Sequence, residues 1–247
     1  ILSEYDLPTH EYYRDVWLPD MLEIASNRDM DYLFAVPFNY NLRTTPRADG
    51  SWPFNEWERE SIRADDGTIF GVAEAERIRR AGHELSLHGY NHRSLLGEAE
   101  HSSDPNYWIV DGGSTATMRA SVAAARSRWI SDGLGPLPVT YIAPNNKIDA
   151  AGLAVLAQAF PEIRIFASDI TIPWSKGGRI DFGPDPVNPH FFSLPRWTSG
   201  FYDSNRTRIA AVSQLALTGT WTHFVHPDDI YSNPTNYPGA APSSLRN

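Results

Sequence analysis

The most informative segment of this sequence is Ala81-Gly82-His83-Glu84-Leu85-Ser86-Leu87-His88-Gly89-Tyr90-Asn91-His92. Its apolar centre predicts a buried strand over Glu84–His88. Side chains alternate between the two faces of a strand, so Ser86 and His88 share one face while Leu85 and Leu87 share the other. This pattern indicates a strand that packs its leucine face into a core and ends on a polar side chain.

The same stretch ends with two histidines four residues apart. If the chain makes one helical turn after the strand, His92 comes back beside His88. Two neutral imidazoles held in this way are natural ligands for a divalent transition metal. The ligands of α/β enzymes gather at the carboxyl ends of strands, which is where this pair lies. The local pattern leaves a metal site and a purely structural pair both open.

Short apolar strands alternate with helical stretches along the rest of the chain. The predicted strands are Leu2–Asp6, Tyr32–Phe38, Glu84–His88, Val139–Ala143, Arg164–Ala167, Phe191–Pro195 and Thr222–His226. The predicted helices are Glu11–Ala25, Val72–Ala81, Thr115–Asp132, Ala150–Ala159 and Arg206–Thr218. This alternation predicts an α/β fold with a parallel sheet, closed into an incomplete or distorted (β/α)7-type barrel. Asn39–Ile69 and Pro173–Pro189 interrupt the rhythm and predict two long loop insertions.

Composition places the chain among ordinary globular proteins. Its 247 residues, 41% hydrophobic and 21% charged, are enough for one full-sized domain over residues 1–247. The net charge of −9 argues against a nucleic acid partner, and no apolar run is long enough to span a membrane. The chain has no cysteine, which excludes disulfides and thiolate ligands. Any metal ligands must therefore be histidines and carboxylates.

Four motifs in order give the chain a resemblance to a known family. Gly82-His83-Glu84-Leu85 with His88 and His92 resembles the second motif of the polysaccharide deacetylases, the NodB-homology family that includes carbohydrate esterase family 4. Glu4-Tyr5-Asp6 stands where that family has its acidic first motif, and Phe224-Val225-His226 resembles its last motif. Ile142-Ala143-Pro144 occupies the place of the third motif but lacks its arginine.

The resemblance implies a set of site residues. Asp6, His88 and His92 are expected to bind one divalent metal, with zinc as the expected ion. Glu4 is expected to act as the catalytic base and His226 as the acid. Tyr5 stands where the family usually has the base, and Glu4 fits a branch that spaces its two acids two residues apart. Three structural alternatives to these functional roles stay open: an N-cap role for Asp6, a solvated strand end for Glu4 and a core position for His226.

Further residues are expected to contact the substrate. They are Tyr90, Asn145, Arg196 and Trp197. Arg196 could also replace the missing third-motif arginine, although it comes from a different strand. Tryptophans in loops or at strand ends could stack on sugar rings or could simply pack, and these are Trp52, Trp57, Trp174 and Trp197.

The resemblance implies a metal-dependent enzyme that removes N-acetyl groups from an amino-sugar polysaccharide. The Glu4-x-Asp6 spacing and His226-Pro227-Asp228-Asp229 look most like the branch that acts on Pel-type galactosamine exopolysaccharides. Two alternatives are a hydrolase of another amide, in a peptidoglycan sugar or a small cyclic compound, and a degenerate domain that only binds polysaccharide. A secreted or periplasmic location is expected, as part of a longer chain.

Overall fold

The structure is a computed structural model that describes residues 13–38, 71–90, 94–96, 115–169, 182–200 and 204–225. Its helices are α1 Leu18–Arg28, α2 Val72–Arg80, α3 Thr115–Ser131, α4 Ala150–Ala159 and α5 Asn205–Thr218. Its strands are β1 Leu33–Val36, β2 Glu84–Leu87, β3 Thr140–Ile142, β4 Ile165–Asp169, β5 Gly183–Pro184, β6 Phe192–Arg196, β7 Thr198–Ser199 and β8 His223–Phe224.

Six of these strands form one sheet in the order β1-β2-β3-β4-β6-β5. The strands β1, β2, β3, β4 and β6 run parallel to their neighbours, and β5 pairs antiparallel with β6 at the edge. The short strands β7 and β8 pair in parallel as a separate ribbon. A mostly parallel sheet alternating with helices confirms the predicted α/β fold, because parallel neighbours need a crossover that a helix usually supplies.

The alternation of side chains along β2 is as predicted. Leu85 and Leu87 are 5% and 1% exposed and belong to the main hydrophobic cluster. Phe34 lies beside Leu85 in the register of β1 and meets the ring of Trp17, before α1, edge-on at 6.2 Å between centroids. On the opposite face, the Ser86 hydroxyl donates a hydrogen bond to the backbone oxygen of Phe34 at 3.2 Å. The core therefore lies between the sheet and its helices.

The helix boundaries follow from caps that the sequence carries. Asp149 precedes α4, and its carboxylate accepts a hydrogen bond from the Gly152 backbone N–H at 2.8 Å. Ser204 precedes α5 and accepts one from the Thr207 N–H at 3.1 Å. Gly219 ends α5 with a φ of 71°, a left-handed conformation that favours glycine. These caps satisfy backbone groups that helix ends leave without intrahelical partners.

Some predicted elements differ from the structure or lie outside the described residues. The described part of the first predicted helix, Glu11–Ala25, begins with a wider π-helical turn, Tyr13–Trp17, and continues as α1, where Pro19 has no N–H to donate to the preceding turn. The second predicted insertion contains β5, so part of it is a sheet edge rather than a loop. The first predicted strand, Leu2–Asp6, and the first insertion, Asn39–Ile69, lie outside the described residues. No helix within the described ranges is both long and apolar enough to cross a membrane.

Candidate functional site

The parallel strands end at one edge of the sheet, which we call the carboxyl edge. It is formed by residues 37–38 after β1, 88–90 after β2, 143–147 after β3 and 196–197 at the end of β6. The motif histidine His88 lies here, as does the Ala143-Pro144 segment of the third motif. The carboxyl ends of parallel strands in α/β proteins are where ligands usually bind. The sequence motifs that fall on described residues therefore collect at the expected place.

His88 is half-buried at the carboxyl end of β2 and is held from both sides. Its backbone N–H donates to the Val36 oxygen at 3.1 Å, which continues the pairing with β1. Its ring Nδ1 lies 2.9 Å from the backbone oxygen of Ile142 in β3. A carbonyl oxygen only accepts, so Nδ1 carries the proton and the ring lone pair lies on Nε2. Metal-binding histidines are commonly oriented in this way, and this side chain fits a ligand role.

The remaining predicted metal and catalytic residues lie outside the described residues. They are Glu4, Asp6, His92 and His226. Within the described ranges, no group of three or more histidine, aspartate or glutamate side chains is close enough to hold a metal ion. The metal site and the assignments of base and acid therefore stay predictions. Trp52, Trp57, Trp174, Asp228 and Asp229 also lie outside the described residues.

Tyr90 follows His88 by two residues, but its side chain is only 2% exposed. Its ring packs against Phe38 with centroids 5.7 Å apart, and its hydroxyl accepts a hydrogen bond from Arg128 at 3.1 Å. Burial raises the pKa of the Tyr90 hydroxyl, so the phenol stays neutral at physiological pH. The predicted contact between Tyr90 and substrate stays a prediction, and the burial favours a supporting position instead.

Arg196 and Trp197 lie on the carboxyl edge, at the end of β6. Arg196 is 7% exposed and places its guanidinium carbon 4.2 Å from the centre of the Phe224 ring, a cation–π contact to β8. The Trp197 backbone N–H donates to the Thr222 oxygen at 3.2 Å, and its side chain is half-buried. The substrate roles of both residues stay predictions. Asn145 lies in the 3₁₀ turn Pro144–Asn146, and its side chain lies outside the described part.

Two features of this region have no counterpart in the sequence analysis. Lys147, which follows the 3₁₀ turn, is 1% exposed, and a lysine that deeply buried is rare unless it is paired. Trp221 donates from its indole N–H to the Thr198 hydroxyl at 2.9 Å, and that hydroxyl lies 2.8 Å from Nδ1 of His223. Burial lowers the pKa of the His223 imidazole. The sequence carries no signal for either feature, because the burial of Lys147 becomes visible only in the folded protein.

A family model described as an uncharacterised protein conserved in bacteria, DUF2194, matches residues 1–240. The chain belongs to the DUF2194 family. The match covers both long insertions and every predicted site residue, so this DUF2194 chain carries its candidate site within the family region. None of the curated proteins matches the chain significantly.

Solved structures show what the DUF2194 chain resembles in three dimensions. A proposed polysaccharide deacetylase from Mycobacterium smegmatis matches at 17% identity with a TM-score of 0.51, over 89% of this chain and 66% of the other. The wild-type BA3943 pseudoenzyme of carbohydrate esterase family 4 from Bacillus anthracis matches at 14% identity and a TM-score of 0.40, over 91% and 61%. A BA3943 mutant with restored enzymatic activity also has 14% identity and a TM-score of 0.40, over 91% and 63%.

The similarity to the M. smegmatis structure is evidence for the fold alone. At 17% identity, the M. smegmatis structure shows that the DUF2194 chain has a deacetylase-like α/β fold, as the motifs predict. The chain spans 61–66% of the length of the three solved chains. Activity and substrate must therefore be argued from the residues of the carboxyl edge.

Proposed function

We propose that this protein is a metal-dependent hydrolase that removes N-acetyl groups from an amino-sugar polysaccharide. The observation that carries the proposal is the orientation of His88. Its ring is oriented at the carboxyl end of β2 by the Ile142 oxygen, which lies 2.9 Å from Nδ1, so Nε2 is the nitrogen that would bind a metal. The sequence places the other two proposed ligands, Asp6 and His92, in the first motif and in the same motif as His88.

The proposed chemistry divides between two further residues. A bound divalent metal supplies a positive charge that polarises the acetyl carbonyl and lowers the pKa of water. Glu4 removes a proton from the attacking water, whose oxygen adds to the carbonyl carbon. The carbon–nitrogen bond then breaks, and His226 gives its proton to the departing amine. Acetate and a free amino sugar are the products, and proton exchange with water returns Glu4 to its carboxylate form and His226 to its protonated form.

The proposed substrate is a galactosamine-containing exopolysaccharide. Its support is the Glu4-x-Asp6 spacing and the His226-Pro227-Asp228-Asp229 ending, which resemble the branch that acts on such polymers. A polymer of this kind lies outside the cytoplasm, so the proposal includes a secreted or periplasmic protein.

Two histidines on β2 and just before it provide a matched test of the metal site. His88 lies at the carboxyl end of β2, whereas His83 lies before its start, where Nδ1 accepts a hydrogen bond from the Tyr32 N–H at 3.5 Å. We expect His88→Ala to lose stoichiometric Zn²⁺ or Co²⁺ and acetate release, and His83→Ala to keep both. Retention of the metal by the His88→Ala protein would contradict the proposal.

The substrate is tested by acetate release from N-acetylgalactosamine and N-acetylglucosamine oligomers side by side. We expect faster release from the galactosamine series, and the opposite preference would refute the substrate assignment. Glu4→Gln should keep metal and substrate binding but lose roughly 10²–10⁴-fold in the rate of acetate release.

Oligomer binding with no acetate release by the metal-loaded wild-type protein would identify the alternative, a polysaccharide-binding domain without catalysis.

A further inference from the structure

The turn after β2 is held from the helical layer as well as from the sheet. Gly89 adopts a φ of 75°, and the next residue, Tyr90, turns its ring into the core beside Phe38. Phe38 is itself 6% exposed and meets the ring of Trp129 in α3 edge-on at 6.3 Å. The turn that begins at His88 therefore rests on α3.

Arg128 in α3 makes the polar part of this support. Its Nη1 donates to the Tyr90 hydroxyl at 3.1 Å, and its guanidinium lies 5.5 Å from the centre of the Phe38 ring. Its Nε donates to Oδ2 of Asp132 at 3.0 Å, and its Nη2 forms an ion pair with the same oxygen at 2.9 Å. Both charged side chains are less than one fifth exposed, which reduces screening by solvent. Asp132 thus holds the guanidinium in the orientation that reaches Tyr90.

We infer that Tyr90, Arg128 and Asp132 form a clamp that positions residues 88–90 for metal binding by His88. This inference rests on the proposed function. Tyr90 lies two residues after His88, so fixing its ring restricts the described backbone that carries this ligand before a metal arrives. The conformational entropy of this backbone is then lost during folding, so its loss does not weaken metal binding. Ile142 fixes the His88 ring from β3, and the clamp fixes the following turn from α3.

A clamp of this kind differs measurably from ordinary packing. If Tyr90 and Arg128 only stabilise the fold, their replacement lowers the free energy of unfolding but leaves the metal affinity of the folded protein unchanged. If they position the turn, metal affinity falls even where the protein remains folded. Removal of residues that orient metal ligands typically reduces affinity 10–100-fold.

The same helix provides a matched control. Arg126 lies two residues before Arg128 and makes a similar forked contact, with Nε 3.2 Å from Oε2 of Glu162. Both side chains of that pair are about one third exposed, and the Arg126 guanidinium lies over the ring of Phe160, 5.8 Å from its centre. Arg126→Met therefore removes an arginine–carboxylate pair from α3 without touching the clamp.

The experiment titrates Co²⁺ into the metal-free wild type and into Tyr90→Phe, Arg128→Met and Arg126→Met, with visible absorption as the readout. Thermal unfolding of each metal-free protein is measured alongside. We expect roughly 10-fold or greater loss of Co²⁺ affinity in Tyr90→Phe and Arg128→Met, and wild-type affinity in Arg126→Met. Tyr90→Phe loses a single oxygen atom, so it decides the question if Arg128→Met does not fold.

The outcomes separate this inference from the proposed function. Wild-type affinity in Tyr90→Phe, or an equal loss in Arg126→Met, would overturn the clamp while the metal site stands. Failure of the wild type to bind Co²⁺ through His88 would overturn the proposed function, and the clamp with it.

Discussion

Gly89 shows how one backbone torsion can shape the candidate site. Its φ of 75° lies in the left-handed region, where a Cβ atom crowds the following carbonyl oxygen. The residue stands between His88, whose ring points to the Ile142 oxygen, and Tyr90, whose ring enters the core. A glycine at this position is therefore a conformational requirement of the turn.

Replacing Gly89 by alanine should lower the free energy of unfolding by about 1–2 kcal/mol, because the turn needs a left-handed residue. Urea unfolding measures this loss. Gly82→Ala is the control, since Gly82 also has a positive φ, 90°, but lies at the opposite end of β2 with open space around its Cβ position. Both variants should be destabilised, and only Gly89→Ala should also bind Co²⁺ more weakly. Equal Co²⁺ affinities would contradict the role given to the turn.

His223 makes stability depend on pH in a stated direction. Burial lowers the pKa of its imidazole in the folded protein, so the unfolded chain binds the proton more readily. The stabilisation is present above the unfolded pKa of about 6.5 and is lost as the pH falls through the lower folded pKa. Between pH 7 and pH 5, wild-type protein should lose more stability than His223→Asn, as measured by urea midpoints. A parallel loss in both proteins would assign the acid sensitivity to other groups.

At the scale of elements, α4 comes unusually close to the segment Ser94–Leu96 that follows the second motif. Asp149 donates its backbone N–H to the Leu95 oxygen at 3.2 Å, and Leu95 forms a parallel bridge with Ile148. A Cβ atom on Gly152 would lie 2.1 Å from that same oxygen. The first turn of α4 can approach Leu95 only because residue 152 has no side chain.

Gly152→Ala should therefore destabilise the protein by about 1–3 kcal/mol through overpacking, although alanine is the better helix former. Ala154→Ser adds one atom to the exposed face of the same helix and should change stability by less than about 0.5 kcal/mol. Thermal unfolding of the two variants makes the comparison. A stabilised Gly152→Ala protein would show that the Leu95 segment can move away at little cost.

Local sequence patterns predicted the helices and strands well, but they could not predict contacts between residues that are far apart in the sequence. The prediction of α4 over Ala150–Ala159 matches the structure because Asp149 caps its start. The strand predicted over Glu84–His88 is β2, which ends one residue earlier at Leu87, and it was predictable because alternation along a strand is a local pattern. The contact of Arg128 with Tyr90 joins residues 38 positions apart, and no periodicity encodes it. The sequence alone therefore suggested that Tyr90 touches substrate, whereas its burial depends on how α3 packs on the sheet.

For the whole molecule, the net charge of −9 bears on the proposed reaction. Each deacetylation converts a neutral sugar into a cationic one, so an acidic protein should attract its own partly processed polymer. Binding of partly deacetylated galactosamine oligomers should weaken clearly between 0.1 and 1 M salt, over which the screening length falls from about 10 to 3 Å. Calorimetry measures this, with fully acetylated oligomers as the uncharged control. Equal salt dependence of the two oligomers would contradict the electrostatic part of the proposal.

The antiparallel strand β5 has a consequence for the behaviour of the protein in crowded solution. An unpaired strand edge can recruit another chain through its backbone N–H and C=O groups, a common beginning of aggregation. Here the outer strand is two residues long, and Pro184 has no N–H to offer. The Phe192 ring on the neighbouring strand is also met edge-on by Phe182 at 5.1 Å. Among the described strands, this side of the sheet is therefore a poor template for the addition of a strand from another chain.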